Sequence, residues 1–364
     1  MSELPPRLQR LKDSLSELEI DAMLVTDEIN VRYLSGFTGD SSSLVVAGIG
    51  TSILSDGRYI AQIAQQCTGI EVMIRTSSQL LPDLTKSALQ DLGLKRVGIE
   101  ADKLTLADYQ FLSTTCGGIE FVSTTGVVEA LRMIKDESEI AATRRAVEIA
   151  EQVFQEVCPS LTRQHTELAI AHDLEHRMRS LGAQGCSFPP IVAAGSGGAL
   201  PHYHPQNVAI DDHKTLLIDW GAKYQGYASD LTRTLHRPGV SDAFKRAYEG
   251  VLEAQMAAIE MIRPGVLARD VDAAARQVLD RHGILDAFKH GLGHGTGLQI
   301  HESPRMSPIS EEILDTGMII TVEPGVYYDG DFGIRLEDDI LVTESGHEVL
   351  SSLPKGLDDC RLIL

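Results

Sequence analysis

LLIDWGAKYQGYASDLTRT, residues 216–234, decides how the chain has to fold. Leu216-Leu217-Ile218 is an apolar run ready for burial, and Asp219 follows at once. The returning segment, Gly226-Tyr227-Ala228-Ser229, is small and uncharged, and then Asp230 appears. The pattern predicts a β-hairpin interrupted twice by acid. Burying one carboxylate without a partner costs several kcal/mol, and two close together are worse. A pair of aspartates inside a sheet therefore demands a compensating charge.

The same awkward placement recurs downstream. KHGLGHGTGLQIHESP (289–304) sets His290, His294 and His301 among glycines. MIITVEPGVYY (318–328) is a buried-looking strand broken by Glu323, and FGIRLEDDILVTE (332–344) holds Glu337 among Ile334, Leu336 and Ile340. Four apolar segments each deliver one acid, and a fifth delivers histidine. Singly, each has an ordinary reading. Asp219 could end a strand in a turn, Glu323 could open a turn before Pro-Gly, Glu337 could pair with Arg335 on the surface, and a histidine among glycines could be structural. Together, four such carboxylates could not all stay ionised without compensation. One divalent cation would balance two of these charges, and two would balance four. An oxygen-rich site with one imidazole suits Mn²⁺, Co²⁺, Fe²⁺ or Zn²⁺. A carboxylate-bridged metal pair activates water near neutral pH and holds an attacked carbonyl, which is hydrolytic chemistry.

The whole chain is consistent with such an enzyme. Its 364 residues suffice for two domains. Hydrophobic content of 43% and charged content of 23% are those of a globular protein, and no apolar run is long enough for a membrane span. The first residues, MSELPPRLQRLKDSLSELEI, lack the apolar core of a signal peptide, so a cytoplasmic protein is expected. A net charge of −20 argues against nucleic acid as partner. The five cysteines form no CxxC pair, which indicates neither a disulfide framework nor a structural zinc site.

Residues 1–123 alternate short strands (22–26, 43–48, 51–56, 71–75, 96–101) with helices (59–66, 80–92, 106–114), predicting a small α/β domain with a mixed sheet and no cluster of titratable groups. A break near Ser123-Thr124-Thr125-Gly126 opens a second domain, 124–364. There, apolar residues at helical spacing from Ile140 to Val157 predict a helix stopped at Pro159, followed by another over 166–181. The scheme returns with Phe244–Ile262 stopped at Pro264-Gly265 and a partner over 268–281. Even letters recur, RAVEIAEQ at 145–152 against RAYEGVLEAQ at 246–255. The domain reads as two α-α-β-β halves about a pseudo-twofold axis, an α+β fold.

On IDWGAKYQGYASDLTRT, HGLGHGTGLQIHESPR, TVEPGVY and GIRLEDDI, with INVRYLSGFTG and ILSDGRY in the first domain, the chain resembles the metal-dependent pita-bread peptidases of the Xaa-Pro dipeptidase (prolidase) and aminopeptidase P type. The resemblance covers nearly the whole chain and implies a creatinase-like N-terminal domain. It implies two divalent ions, Mn²⁺ foremost with Co²⁺ or Zn²⁺ as alternatives. Asp219 would bind one ion, Asp230 and Glu337 would bridge both, and His294 and Glu323 would bind the other. Glu323 would also handle the proton of the attacking water. His202 and His301 would contact the scissile carbonyl, and His290 would sit beside the substrate. Arg335, two residues before Glu337, would orient the Glu337 carboxylate, and Arg305 falls where prolidases place an arginine for the dipeptide's C-terminal carboxylate. Tyr203 could line the substrate pocket or simply pack, while His204 and His213 read as surface residues and Trp220 as core. The implied substrates are small peptides with proline in second position, and the implied assembly is a homodimer. Aminopeptidase P action on longer peptides is the alternative. A metal-free creatinase-like hydrolase or a binding protein on the same fold would have lost ligand positions, and all five are present here.

Overall fold

In the computed structural model, residues 6–211 and 213–363 are described; the outer ends of the two expected domains, and Asp212, lie outside them. The chain divides into two compact units between Arg132 and Met133. The expected break after Ser123 falls instead inside a strand, Glu120–Thr124, at the edge of the first unit's sheet. The helix Val127–Met133 buries Val128 and Arg132, and the Arg132 guanidinium donates to Asn30 Oδ1 at 2.8 Å, which ties this helix to the first unit.

The first unit is built on a six-stranded mixed sheet. Ala22–Val25, buried throughout, runs antiparallel to Ser43–Ala47 and parallel to Arg96–Glu100. All five expected strands are present. A cluster of polar groups that the sequence did not reveal gathers round Asn30, whose Nδ2 donates to Glu100 (2.7 Å) and Glu129 (2.8 Å). These residues are far apart along the chain, so only folding brings them together.

In the second unit the helices Glu137–Val157 and Glu167–Ser180 form one pair, and Asp242–Met261 and Ala268–Arg281 the other. Each pair packs together and is followed by strands, in the pita-bread order. The first set is Ile191–Ala194, Thr215–Trp220 and Leu231–His236, with Thr215–Trp220 central. The second is a five-stranded sheet containing Gly293–Gly295, Ile319–Val322 and Asp338–Thr343. An isolated bridge, Thr232 with Glu337, joins the two sets. Trp220 is core, as expected: it stacks on Phe154 with centroids 4.3 Å apart and donates Nε1–H to Ala150 O.

The opening stretch folds as one hairpin nested in another. Thr215–Trp220 pairs with Leu231–His236, while Ala222–Tyr224 pairs with Tyr227–Ala228 at the tip. Gly221 marks the crossing, because a Cβ there would lie 1.8 Å from Ser229 O. Asp219 faces Thr232 in register, so Asp230 lies two residues off on the same face. The hairpin therefore aims both aspartates into one space.

Candidate metal centre

Every acid singled out in the second unit's strands is buried or nearly so. Relative exposure is 8% at Asp219, 5% at Asp230 and 1% at Glu337, and Glu323 is partly buried. One donor atom each from Asp230, His294 and Glu337 lie within 4.8 Å of one another. His294 Nε2 stands 3.3 Å from Glu323 Oε1 and 3.7 Å from Asp230 Oδ2. Its Nδ1 faces the Gly295 carbonyl at 3.1 Å, a contact that favours a proton on Nδ1 and turns Nε2 toward the acids.

Charge balance in this space is poor. Burial, reinforced by the charges of Glu337 and Asp219, pushes Asp230 well above the usual carboxyl range. Burial also pushes Glu337 well up, with Glu323 and Asp219 adding to it. Asp219 is raised by burial, with Arg335 opposing. Glu323 alone is drawn down, to about 2: burial opposes this, but His294 beside it prevails. Asp219 Oδ1 is buried without a hydrogen-bond partner. Clustered carboxylates with an orphaned oxygen beside a buried imidazole are the donor set of a hard or borderline divalent cation. The residues fit the ion.

Protein groups already hold parts of the cluster. Arg335 Nη2 donates to Asp219 Oδ2 (2.5 Å), Nη1 to the Tyr327 hydroxyl (2.8 Å) and Nε to Thr232 Oγ1 (3.2 Å). Contrary to the expectation from their closeness in sequence, Arg335 neither pairs with Glu337 on the surface nor bonds to its carboxylate directly; it holds Asp219, and Thr232 stands between it and Glu337. Thr232 Oγ1 donates to Glu337 Oε2 at 2.6 Å, and Asp230 N donates to Asp339 Oδ2 at 2.9 Å. Thr232, Tyr327 and Asp339 escaped sequence reading. Asp339 stands in the quoted LEDDI, but that run does not say which acid does what.

The residues expected beside the substrate divide in two. The ring nitrogens of His202 and His301 have no hydrogen-bond partner among the described residues, and both residues are exposed. His301 packs edge-on against His294 at 4.3 Å. Partial desolvation of its ring lowers its pKa, the charges of His294, Arg305 and His202 add to this, and Glu323 opposes it. Arg305 is exposed on the strand paired with His294, and no acid among the described residues pairs with its guanidinium. His290 is different: Nε2 meets the Tyr327 hydroxyl at 2.9 Å and Nδ1 meets Gly291 O at 2.7 Å, so both nitrogens are engaged. Tyr203 gives its hydroxyl to Glu167 (2.9 Å), and its ring covers Gly197. His204 is exposed, as expected, and His213 is half-buried against Gly195.

A buried acid cluster on two sets of strands under two helix pairs defines a metallopeptidase of the pita-bread class. The chain belongs to metallopeptidase family M24, whose model matches residues 141–344, and the creatinase/prolidase N-terminal domain matches residues 7–134. Among individual relatives, the chain is 36% identical to an Xaa-Pro dipeptidase from Bacillus anthracis, with a TM-score of 0.93 over 97% of this chain and 98% of that one. An X-Pro aminopeptidase from Thermotoga maritima is 34% identical, with a TM-score of 0.88 over 96% and 99%. An Xaa-Pro dipeptidase of Pyrococcus horikoshii is 32% identical over 98% of this chain and all of its own. No helix among the described residues is long and apolar enough to cross a membrane.

Proposed function

We propose that the protein is a dinuclear-metal exopeptidase that cleaves the bond before proline, with Xaa-Pro dipeptides as preferred substrates. The observation that carries the reading is the convergence of Asp230, His294 and Glu337 in a space where buried carboxylates outnumber their partners. Asp219 would hold one ion, Asp230 and Glu337 both, and His294 and Glu323 the other, with Mn²⁺ the first candidate. When bound, such ions supply Lewis acidity and a nucleophilic water at neutral pH.

The chain's own groups carry the remaining steps. The Glu323 carboxylate, kept ionised beside His294, receives the proton of the attacking water and returns it to the departing proline nitrogen. His202 and His301 donate to the scissile carbonyl oxygen as charge develops on it. Arg335 holds Asp219 in place through the bond already formed. His290, with both nitrogens engaged, presents its ring to the substrate and not a donor. Tyr203 likewise offers only its ring, since Glu167 holds its hydroxyl. The unpaired Arg305 guanidinium binds the free carboxylate of a dipeptide bidentately. A peptide bond before proline lacks an N–H, so recognition by side chains replaces the backbone pairing of an extended chain.

The Arg305 contact separates dipeptidase from aminopeptidase P action. In the test, Xaa-Pro and Xaa-Pro-Yaa substrates are compared before and after Arg305→Ala. The expected outcome is a loss in kcat/KM equivalent to about 1.5–3 kcal/mol on the dipeptide, the range for a hydrogen bond to a charged group, and a much smaller change on the tripeptide. Equal losses would favour aminopeptidase P and a structural role for Arg305. A homodimer acting in the cytoplasm completes the proposal, with light scattering of the purified chain as the check on assembly.

A further inference from the structure

His202 lies in a segment with little regular structure. A 3-10 turn, Gly195–Ala199, precedes it, and strand Thr215–Trp220 resumes well after it. An exposed histidine on such a loop would sample many positions, yet a donor to a developing oxyanion must be held in place before reaction. The segment's side-chain anchor is an acid that neither the metal cluster nor the proposed chemistry uses.

Glu167 opens the helix Glu167–Ser180 and is only 2% exposed. Its Oε1 accepts from Ala194 N at 2.7 Å, and its Oε2 accepts from the Tyr203 hydroxyl and from Gln206 N, each at 2.9 Å. These three bonds bracket His202 on both sides: Ala194 ends the strand before it, Tyr203 is its neighbour, and Gln206 follows. The helix start grips the same segment from below. Glu167 N donates to Val208 O and Leu168 N to Gln206 O, so backbone N–H groups left free by the first helical turn find their acceptors in the loop. All three partners of the carboxylate are donors. A carboxylate can accept from all of them, whereas an amide would turn a donor toward one. The helix N-terminus further favours an anion there.

We infer that Glu167 is a positioning residue for the reaction, acting through His202 by fixing the segment that presents it. The inference rests on the proposed contact of His202 with the scissile carbonyl, and the test separates the two ideas. Steady-state kinetics on an Xaa-Pro dipeptide are measured for the metal-loaded full chain and for Glu167→Gln, His202→Ala and the double variant. Loss of an oxyanion donor costs about 10²–10³ in kcat, so His202→Ala should fall in that range and Glu167→Gln should lower kcat by about tenfold or more without exceeding the His202→Ala loss. Metal content per chain should match the unsubstituted enzyme in all three. In the His202→Ala background, Glu167→Gln should add less than about twofold, because residues acting through one contact are not additive. Tyr203→Phe, which removes one anchoring bond and leaves the buried acid in place, should give a smaller kcat loss that likewise vanishes without His202. This second variant keeps the test open if Glu167→Gln folds poorly. The same Glu167→Gln factor in both backgrounds, or no effect on kcat with His202 present, would overturn the positioning role. A harmless His202→Ala would instead overturn the His202 contact, and the inference with it.

Discussion

Glu337 and Asp338 are neighbours in the chain, each 1% exposed, yet they sit in opposite electrostatic surroundings. Asp338 is saturated. It accepts from Arg233 Nη2 (2.7 Å), Ser351 Oγ (2.6 Å), Lys355 Nζ (2.5 Å) and Gln255 Nε2 (3.1 Å). Burial opposes its ionisation, but Arg233 and Lys355 outweigh it and hold the carboxyl below its usual range. Glu337 points to the other side of the strand, where one threonine donates to it and two further acids repel it. The difference teaches that burial of a carboxylate does not by itself mark a site. What marks it is a deficit of partners on the face where several acids meet.

The two neighbours should differ most in activity. Glu337→Gln or Asp230→Asn should lower kcat/KM by more than about 10²-fold, beyond the loss typical of residues that merely support a metal ligand, and should reduce bound metal. The exposed Glu344→Ala should leave both unchanged. Asp338→Asn should do the reverse. Removing one partner of a buried ion pair costs about 3–5 kcal/mol, so chemical denaturation should show a large stability loss, while metal-loaded protein that still folds keeps most of its activity. If Asp338→Asn abolished metal binding and left stability intact, the division between the two neighbours would be wrong.

A subtler test uses the chelated protein. There Glu337 repels its neighbours without compensation, so Glu337→Gln should raise the unfolding midpoint of metal-free protein and lower that of the metal-loaded form. A drop in both forms would mean that the bond from Thr232 outweighs the repulsion from the neighbouring acids.

At the far end lies the exposed pair Arg144–Glu348, with side chains 38% and 44% accessible. The bond from Arg144 lowers the Glu348 pKa. Its stabilisation is therefore present above the unfolded carboxyl value near 4.3 and fades as pH falls through the lower folded value. Solvent screening limits the pair to about 0–1 kcal/mol, so Glu348→Gln should shift stability at pH 7 by less than that and not at all near pH 2.

Much of this contrast was legible beforehand. Apolar strands interrupted by Asp219, Asp230, Glu323 and Glu337 announce buried acids through their local pattern alone, and helical spacing from Ile140 to Val157 announces the helix Glu137–Val157. The hairpin register that aims Asp219 and Asp230 at one space follows from a period of two. Partner choice was not legible. Arg335 is near Glu337 in sequence but reaches Asp219, and Lys135 reaches Glu302, because the fold decides which elements become neighbours. Glu167 reads as an ordinary first-turn acid until the loop carrying His202 is seen wrapped around it. The domain break was misplaced because Glu120–Thr124 and Val127–Met133 carry few buried apolar residues, leaving little pattern to read.

Metal titration decides whether the four acids and His294 form a two-ion hydrolytic centre. The chelated protein is titrated with Mn²⁺ while Xaa-Pro dipeptide hydrolysis and bound metal per chain are followed together. Turnover should be absent without metal and complete at two equivalents. Full turnover in protein shown to be metal-free, or saturation at one equivalent, would rule out a two-ion centre.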